Sequence, residues 1–280
     1  MAEQVAAWRS VAAGWERQRE MFARATAVLS ERMIALLGPR PGQRILDLAA
    51  GPGELGFGVL PLIQPGGELL STDVAPEMVV VARRRAATLG LEGVRFAVED
   101  AAALTLPDAS VDGIICRFGL MLVPDMERAA AEITRVLRPG GRVVLAVWAS
   151  SRVNPWITAS GRAALELGLI DPPPEDAPGP FRLGDPERLR SVVEGGGLEI
   201  QVVEEVVVAW AAESADAWWN AIRDTSRMLT TLLERLTPAE VTALRARAEE
   251  LLQEFTAPDG SLSVPGIARV VVAAPAPGGR

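Results

Sequence analysis

Three residue types are missing from this 280-residue chain: histidine, tyrosine and lysine, since every one of the 28 basic residues is arginine. Without histidine the chain cannot build a Ser-His-Asp or Cys-His nucleophile, and it cannot bind a metal through imidazole. Without lysine it can form neither a Schiff base nor a P-loop. Its chemistry must therefore rely on carboxylates, arginines, amides, hydroxyls, backbone groups and a bound cofactor.

Cysteine and long apolar runs are also scarce. Cys116 is the only cysteine, so an internal disulfide and a cysteine-rich zinc or iron-sulfur centre are excluded, and no metal site is predicted. No apolar run reaches transmembrane length, and charges occur where a signal peptide needs its apolar stretch. We therefore expect a cytoplasmic protein without membrane insertion.

The chain is acidic, with a formal net charge of -8. This charge offers no attraction for nucleic acid or an anionic membrane, so neither is an expected partner. The one arginine run, Arg83, Arg84 and Arg85, is interpreted as the solvated face of a helix.

A glycine-rich stretch at residues 45–58 is the strongest indication of a ligand site. Residues 44–48 have the apolar pattern of a buried strand. Gly51, Gly53 and Gly56 follow with GxGxxG spacing, which lets the backbone turn tightly and directs a helix N-terminus at a ligand. Taken alone, this spacing is weak evidence.

Two acidic residues indicate which ligand the glycine-rich stretch binds. Asp47 lies near the end of the predicted strand, where it would repel the pyrophosphate of a dinucleotide but attract the ammonium and sulfonium groups of S-adenosylmethionine. Asp73 ends the next apolar run, 20 residues beyond Gly53, where an acid is suited to bind ribose hydroxyls. The pattern therefore favours S-adenosylmethionine over NAD.

Several motifs, in the right order between Arg44 and Trp148, resemble class I S-adenosylmethionine-dependent methyltransferases, in particular the ubiquinone/menaquinone C-methyltransferase branch. The matching segments are LDLAAGPG, STDVAPEMV, VEDAAALTLPDASVDGIICRFGLMLV and RVLRPGGRVVLAVW. The resemblance implies a Rossmann-like, doubly wound α/β fold with a mostly parallel seven-stranded sheet, an antiparallel last strand and a helical cap. It also implies S-adenosylmethionine as cofactor and S-adenosylhomocysteine as product.

The same resemblance implies which residues bind the cofactor. The glycine loop surrounds the methionine end, Asp73 binds the ribose, Val74 and Met78 flank the adenine, and Asp100 with Ala101 recognises its amino group. The complete predicted set is Asp47, Ala49, Gly51, Gly53, Asp73, Val74, Met78, Asp100, Ala101 and Arg117.

Arg117 ends the predicted fourth strand, residues 111–117, and is the candidate catalytic residue. A guanidinium there is suited to orient an acidic acceptor or to stabilise an enolate or phenolate. An ion pair with Asp125 or another carboxylate is the alternative. The next residues, Phe118-Gly119-Leu120, resemble the FGL segment of the quinone methyltransferases and replace the Asn-Pro-Pro-Tyr type motif of amino-group methylases.

The predicted organisation is a single methyltransferase domain with a helical segment before its core and another inserted between its last two strands. The boundaries are 1–280 for the domain, 1–40 for the N-terminal helical cap, 41–150 for the cofactor-binding core and 211–258 for the insertion. A stiff proline-rich loop is expected at 171–180 and a loose tail at 275–280.

The tryptophans suggest where the acceptor binds, because none of the seven lies between Glu16 and Val147. Trp218 and Trp219 begin the predicted inserted helix and point about 100° apart, so one can pack inward while the other faces a cleft. Packing of both against the sheet is the alternative. The predicted acceptor-pocket residues are Phe118, Met121, Trp148, Trp156, Trp218, Trp219 and Arg223.

These observations predict a methyltransferase that acts on carbon or oxygen of a small, largely apolar or aromatic acceptor. Methyl transfer from a sulfonium needs mainly alignment, so a chain whose usual side-chain bases are all carboxylates can perform it. The alternative is a catalytically silent S-adenosylmethionine-binding protein with a regulatory or assembly role. A nicotinamide-dependent oxidoreductase is disfavoured by Asp47.

Overall fold

A computed structural model of the chain describes residues 2–172 and 179–276. The expected stiff loop and loose tail therefore lie largely outside the described residues. The chain divides into two compact units. The helical unit comprises Met1–Ala27, Ser150–Ala177 and Val207–Ile267, and the sheet unit comprises Val28–Ala149, Pro178–Val206 and Ala268–Arg280. The predicted domain boundaries follow a different division and stay a prediction.

Seven strands form one sheet in the described part of the chain. They are β1 (Arg44–Leu48), β2 (Glu68–Asp73), β3 (Val94–Val98), β4 (Val111–Arg117), β5 (Leu137–Trp148), β6 (Leu198–Ala212) and β7 (Leu262–Pro275). Their order in the sheet is β3-β2-β1-β4-β5-β7-β6. Strands β1 to β5 pair in parallel, and β7 is antiparallel to β5. The predicted fold class is thereby confirmed.

Helices connect and flank these strands. Those described are α1 (Ala2–Arg17), α2 (Arg19–Ala25), α3 (Ala27–Leu37), α4 (Glu54–Ile63), α5 (Pro76–Thr88), α6 (Met126–Val136), α7 (Pro155–Glu166), α8 (Pro186–Gly195), α9 (Ala215–Thr225), α10 (Arg227–Leu233) and α11 (Pro238–Glu250). Short 3-10 helices occur at Leu120–Leu122, Ser151–Val153 and Gln253–Phe255. Within the described ranges, no helix combines the length and apolarity needed to cross a membrane.

The local sequence explains why the central strands are buried and why the fifth strand begins earlier than predicted. Leu46 and Ile114 are fully buried on neighbouring strands, because a parallel sheet covered on both faces favours continuous apolar runs. The apolar pattern of the sequence predicts a fifth strand over residues 142–148, but this strand begins five residues earlier, at Leu137. Pairing passes from Leu137 to Arg142 through a register irregularity, so the intervening proline and glycines are accommodated as a bulge.

The sequence predicts two helices in the insertion between β6 and β7, over residues 215–236 and 238–255, whereas the structure has three α-helices there. Ser226 separates α9 from α10, and its hydroxyl accepts the N–H of Leu229 at 3.3 Å. A serine that caps a new helix in this way competes with continuation of the preceding one. Ser214 caps α9 and Thr237 caps α11 in the same way, so each α-helix of the insertion begins at its own cap.

The helical unit is held by close helix crossings and an aromatic cluster. At the crossing of α1 and α9, a Cβ added to Gly14 would lie 2.0 Å from the carbonyl oxygen of Asp224. Arg17 Nη2 lies 2.6 Å from Asp224 Oδ1. Trp156 stacks on Trp210 with ring centroids 5.3 Å apart.

Candidate functional site

The sheet reverses its winding direction at β1, with β2 and β3 on one side and β4 and β5 on the other. In such sheets, ligands bind beyond the carboxyl ends of the strands at this switch point. A Cβ on Gly119, just after β4, would lie 2.5 Å from Ala49 Cβ, just after β1. The segments that follow these two strands are therefore in contact, and together they form the floor of the candidate site.

The loop between β1 and α4 has an unusual backbone. Ala49, Gly51 and Gly53 adopt left-handed φ angles of 55°, 54° and 89°. Glycine tolerates this region freely, whereas an alanine there is strained, and such strain persists mainly where the surroundings impose it. A Cβ on Gly51 would meet no atom within 4 Å, so the loop presents open backbone at this point.

Asp73, at the end of β2, fixes this loop. Its Oδ2 accepts the N–H of Gly51 at 3.0 Å, and its Oδ1 accepts the N–H of Ala75 at 2.9 Å. Burial raises the pKa of Asp73, and these backbone hydrogen bonds oppose the rise. Each carboxylate oxygen has two lone pairs, so both keep capacity for a second donor such as a hydroxyl group.

Asp47 lies beneath the loop and is only 1% exposed. Its Oδ2 accepts the N–H of Gly56 at 3.0 Å. Burial raises the pKa of Asp47 to about 7, against the opposing effects of Arg117 and of the Gly56 N–H, while the carboxylates of Glu54 and Asp73 add to the rise. A cation bound nearby would favour the ionised form.

Arg117 ends β4 close to these carboxylates. Its Nη1 donates to Ser30 Oγ at 2.7 Å. Burial lowers the pKa of Arg117, and the carboxylates of Glu54 and Asp47 counteract this effect. Asp125, the alternative ion-pair partner, caps α6 by accepting the N–H of Arg128 at 2.9 Å.

The predicted adenine-binding residues lie at the same edge of the sheet. Parallel pairing aligns Asp73 with Val98, so Asp100 follows β3 close to the end of β2. Asp100 Oδ1 accepts the N–H of Ala102 at 2.9 Å, which places Ala101 within a tight turn. Val74 is half-buried and Met78, in the first turn of α5, is buried.

Three predicted acceptor residues belong to the sheet unit. The ring of Phe118 stacks on Trp148, with centroids 3.8 Å and planes 14° apart. Phe118 has a left-handed φ of 62°, which is strained for an aromatic residue. Met121, in the 3-10 helix after β4, is buried.

The other four predicted acceptor residues, Trp156, Trp218, Trp219 and Arg223, belong to the helical unit. Trp218 is fully buried, and its Nε1 donates to the carbonyl of Trp156 at 3.3 Å. Trp219 is 5% exposed, whereas Arg223 is exposed. Burial of both adjacent indoles favours the packing alternative, and a shared acceptor pocket stays a prediction.

Two charged residues at the loop were missed by sequence reasoning. Glu54 begins α4 directly after Gly53, and its Oε1 lies 2.8 Å from Arg85 Nη1. Interpretation of the whole arginine run as solvated is wrong for Arg85, because its side chain is only 19% exposed. The available signal was its position seven residues after Met78, which puts both on one helix face.

Comparison with known sequences identifies the family. Residues 21–160 match the model of the ubiE/COQ5 methyltransferase family. A demethylmenaquinone methyltransferase of Thermus thermophilus is 44% identical over 114 residues, covering 41% of this chain and 51% of that protein. A ubiquinone/menaquinone biosynthesis C-methyltransferase UbiE of Acidiphilium cryptum is 44% identical over 110 residues, covering 39% of this chain and 43% of that protein.

The solved structures support the fold. The YcgJ protein of Bacillus subtilis aligns with 87% of this chain and 96% of its own length, with a TM-score of 0.57 and 22% identity. The chain spans about half the length of the two curated relatives described above. The resemblance to methyltransferases and the assignment of S-adenosylmethionine as cofactor are confirmed at the level of the family. Because the family match extends over half of its residues, the chain belongs to the ubiE/COQ5 methyltransferase family.

Proposed function

We propose that this protein is an S-adenosylmethionine-dependent methyltransferase that methylates a carbon or an oxygen of a small, largely apolar or aromatic acceptor. The observation that carries the proposal is the arrangement at the glycine loop, where Asp73 orders Gly51 and Asp47 lies directly beneath. The carboxylates of Asp47 and Asp73 beside the loop favour a cationic ligand and oppose a pyrophosphate.

The residues at the loop fit S-adenosylmethionine in charge and in hydrogen-bonding capacity. Asp47 and Glu54 would hold its ammonium and sulfonium end, and Asp73 would accept hydrogen bonds from the ribose. Glu54 Oε1 is buried and lies 2.8 Å from Arg85 Nη1, which holds this carboxylate at the start of α4. The bound cofactor supplies an electrophilic methyl group on a sulfonium.

The chain's own contribution is alignment and exclusion of water. A sulfonium donor would need no protonation of its leaving group, so the chain need not supply a strong acid. The stacked Phe118 and Trp148 form an apolar surface suited to a planar acceptor. Arg117 would stabilise negative charge on a phenolate or enolate, which lowers the basicity that deprotonation of the acceptor demands.

The names of the relatives are compatible with an aromatic acceptor. Two of them are named for methylation in menaquinone or ubiquinone synthesis. Their similarity covers 41% and 39% of this chain. We therefore infer a small, largely apolar or aromatic acceptor and not a particular quinone.

Transfer of a labelled methyl group tests the proposal. The protein is incubated with methyl-labelled S-adenosylmethionine and a panel of phenols, hydroquinones and enolisable ketones, and the products are analysed by NMR. We expect a labelled C-methyl or O-methyl product and an equal amount of S-adenosylhomocysteine. Omission of the acceptor gives the background rate.

Two results would contradict the proposal. Tight cofactor binding without turnover on any acceptor would favour the catalytically silent protein. Binding of NADH in preference to S-adenosylhomocysteine would favour an oxidoreductase. A competition titration between NADH and S-adenosylhomocysteine separates these outcomes.

A further inference from the structure

We propose that Arg85 is a positioning residue for the cofactor: from helix α5 it sets the conformation of the glycine loop and the orientation of Glu54. This inference rests on the proposed function, because it assigns Arg85 to the cofactor site of a methyltransferase. Arg85 itself need not touch the cofactor. It acts through three groups of the loop and of the helix that follows it.

The first two contacts are polar. Arg85 Nη1 donates to the carbonyl of Pro52, inside the loop, and lies 2.8 Å from Glu54 Oε1. Pro52 lies between Gly51 and Gly53, the two left-handed glycines of the loop. One guanidinium therefore restrains the loop from outside the β1–α4 segment, just as Asp73 restrains it from β2.

The third contact is aromatic. The guanidinium carbon of Arg85 lies 5.7 Å from the ring centroid of Phe57, within the range of a cation–π interaction. The Phe57 ring in turn occupies the space beside Gly53, because a Cβ there would lie 2.6 Å from Phe57 Cζ. Arg85 thus holds the ring that lies against Gly53, whose φ is 89°.

Glu54 connects the contacts of Arg85 to the candidate cofactor site. Its carboxylate interacts electrostatically with both Asp47 and Arg117. Its side chain is only 17% exposed, so the adjacent Arg85 offsets the unfavourable burial of its charge. Removal of Arg85 would leave a partly buried carboxylate without this counter-charge, and Glu54 would then reorient.

Arg83 provides a matched control on the same helix. Its guanidinium carbon lies 5.8 Å from the ring of Phe96, nearly the same separation as between Arg85 and Phe57. Arg83 is exposed, and Phe96 belongs to β3, away from the glycine loop. Arg83→Met therefore removes an arginine and a cation–π contact from α5 without altering the loop.

The test compares Arg85→Met with Arg83→Met by calorimetric titration of S-adenosylhomocysteine and S-adenosylmethionine. We expect Kd for both ligands to rise about tenfold to a hundredfold in Arg85→Met, and to stay within about twofold of the wild type in Arg83→Met. In the methyl-transfer assay, KM for S-adenosylmethionine should rise while KM for the acceptor stays constant. A purely structural role would change the amount of folded protein and leave both KM values alone.

Arg85→Lys is the second variant, in case Arg85→Met does not fold. Lysine keeps a positive charge for Glu54 but lacks the planar fork that can serve a carbonyl, a carboxylate and a ring together. We expect its Kd to lie between those of the wild type and Arg85→Met, or above that of the wild type if the methionine variant is unfolded. Wild-type affinity in Arg85→Lys, or equal affinity in the two methionine variants, would overturn the inference. Failure of the wild type to bind either ligand would instead overturn the proposed function.

Discussion

At the scale of single residues, Asp73 both orders the loop and keeps lone pairs for a ligand. Asp73→Ala is expected to weaken S-adenosylmethionine binding by about 1.5 to 3 kcal/mol, because it removes a charge-assisted acceptor for the ribose. It also releases the N–H groups of Gly51 and Ala75, so Asp73→Asn is the better test of charge alone. Calorimetry measures both variants.

Asp108→Asn is the matched control for this prediction. Asp108 belongs to the same unit, its side chain is 79% exposed, and it pairs with Arg135 on the protein surface. Its substitution should leave cofactor affinity unchanged. A folded Asp73 variant with wild-type affinity would remove Asp73 from the cofactor site.

Asp47 makes cofactor affinity dependent on pH. In the protein without ligand, burial holds its pKa near 7, whereas a bound cation lowers that pKa. Binding therefore releases a proton below about pH 7, and affinity for S-adenosylmethionine should fall about tenfold between pH 7 and pH 5.5. Both pH values keep the amino group of the cofactor protonated.

Calorimetry in buffers of different ionisation enthalpy counts the released proton directly. Asp47→Asn should abolish this release, and it should weaken the sulfonium-bearing S-adenosylmethionine more than S-adenosylhomocysteine. The difference between the two ligands will be modest, since both retain the ammonium group. Equal proton release in the wild type and Asp47→Asn would assign the titration to another group.

The same carboxyl group should limit the stability of the protein without ligand. Its folded-state pKa of about 7 exceeds the ordinary value of 3.8, so the folded state binds the extra proton between these values. This contribution to stability is complete below about pH 4 and is lost as pH rises to 7, on the order of 4 kcal/mol. Asp47→Asn should therefore raise the unfolding temperature at pH 8 relative to the wild type.

Scanning calorimetry without ligand at pH 5 and pH 8 checks this expectation. The stabilisation by Asp47→Asn should be smaller at pH 5, where the wild-type carboxyl group is mostly protonated. If the Asn variant is less stable at both pH values, ionisation of Asp47 in the folded protein does not lower the free energy of unfolding. Comparison with the binding titrations would then distinguish the effect of Asp47 on ligand binding from its effect on stability.

At the scale of elements, the crossing of α1 and α9 depends on the absence of a side chain at Gly14. A Cβ there would lie 2.0 Å from the backbone oxygen of Asp224, so Gly14→Ala must shift one of the helices. We expect a loss of about 1 to 3 kcal/mol in the free energy of unfolding. Chemical denaturation followed by tryptophan emission measures this loss, since six of the seven tryptophans belong to the helical unit.

Gly161→Ala in α7 is the control, with the opposite expected sign. Its added Cβ would meet only the flexible end of Met228, at 3.4 Å. Helix propensity then favours alanine over glycine by up to about 1 kcal/mol. Equal destabilisation by both substitutions would show that helix crossing is not the reason for Gly14.

At the scale of the whole molecule, the two compact units should respond differently to ligands. All predicted cofactor-binding residues belong to the sheet unit, whereas Trp218 and Trp219 belong to the helical unit. In hydrogen–deuterium exchange, S-adenosylhomocysteine should protect residues 45–56 and 72–79. If Trp218 and Trp219 belong to the acceptor pocket, residues 215–225 should gain protection only when an acceptor is added.

NADH serves as the control ligand for this exchange experiment and should protect neither region. Protection of residues 215–225 by S-adenosylhomocysteine alone would assign the helical unit to cofactor binding. If no acceptor protects these residues, the two tryptophans serve packing. The acceptor site must then be sought around Phe118 and Trp148.

The sequence by itself determined the features that contiguous residues encode. Strand β1, its glycine turn and the acid that ends β2 follow from apolar runs, from φ angles that glycine tolerates and from the position of Asp73. The antiparallel last strand and the helical insertion came from resemblance to a family. These features are local or repeated throughout the family. They can therefore be predicted without knowing which distant segments of the chain are in contact.

Only the tertiary structure decided the features that join segments far apart in the chain. Arg85 reaches Pro52 across 33 residues, and Arg117 reaches Ser30 across 87. The raised pKa of Asp47 likewise depends on burial and on charges supplied by β2, α4 and β4. Helical spacing from Met78 places Arg85 on the buried face of α5, but only the packing of α5 against the glycine loop decides that its guanidinium contacts Pro52 and Glu54.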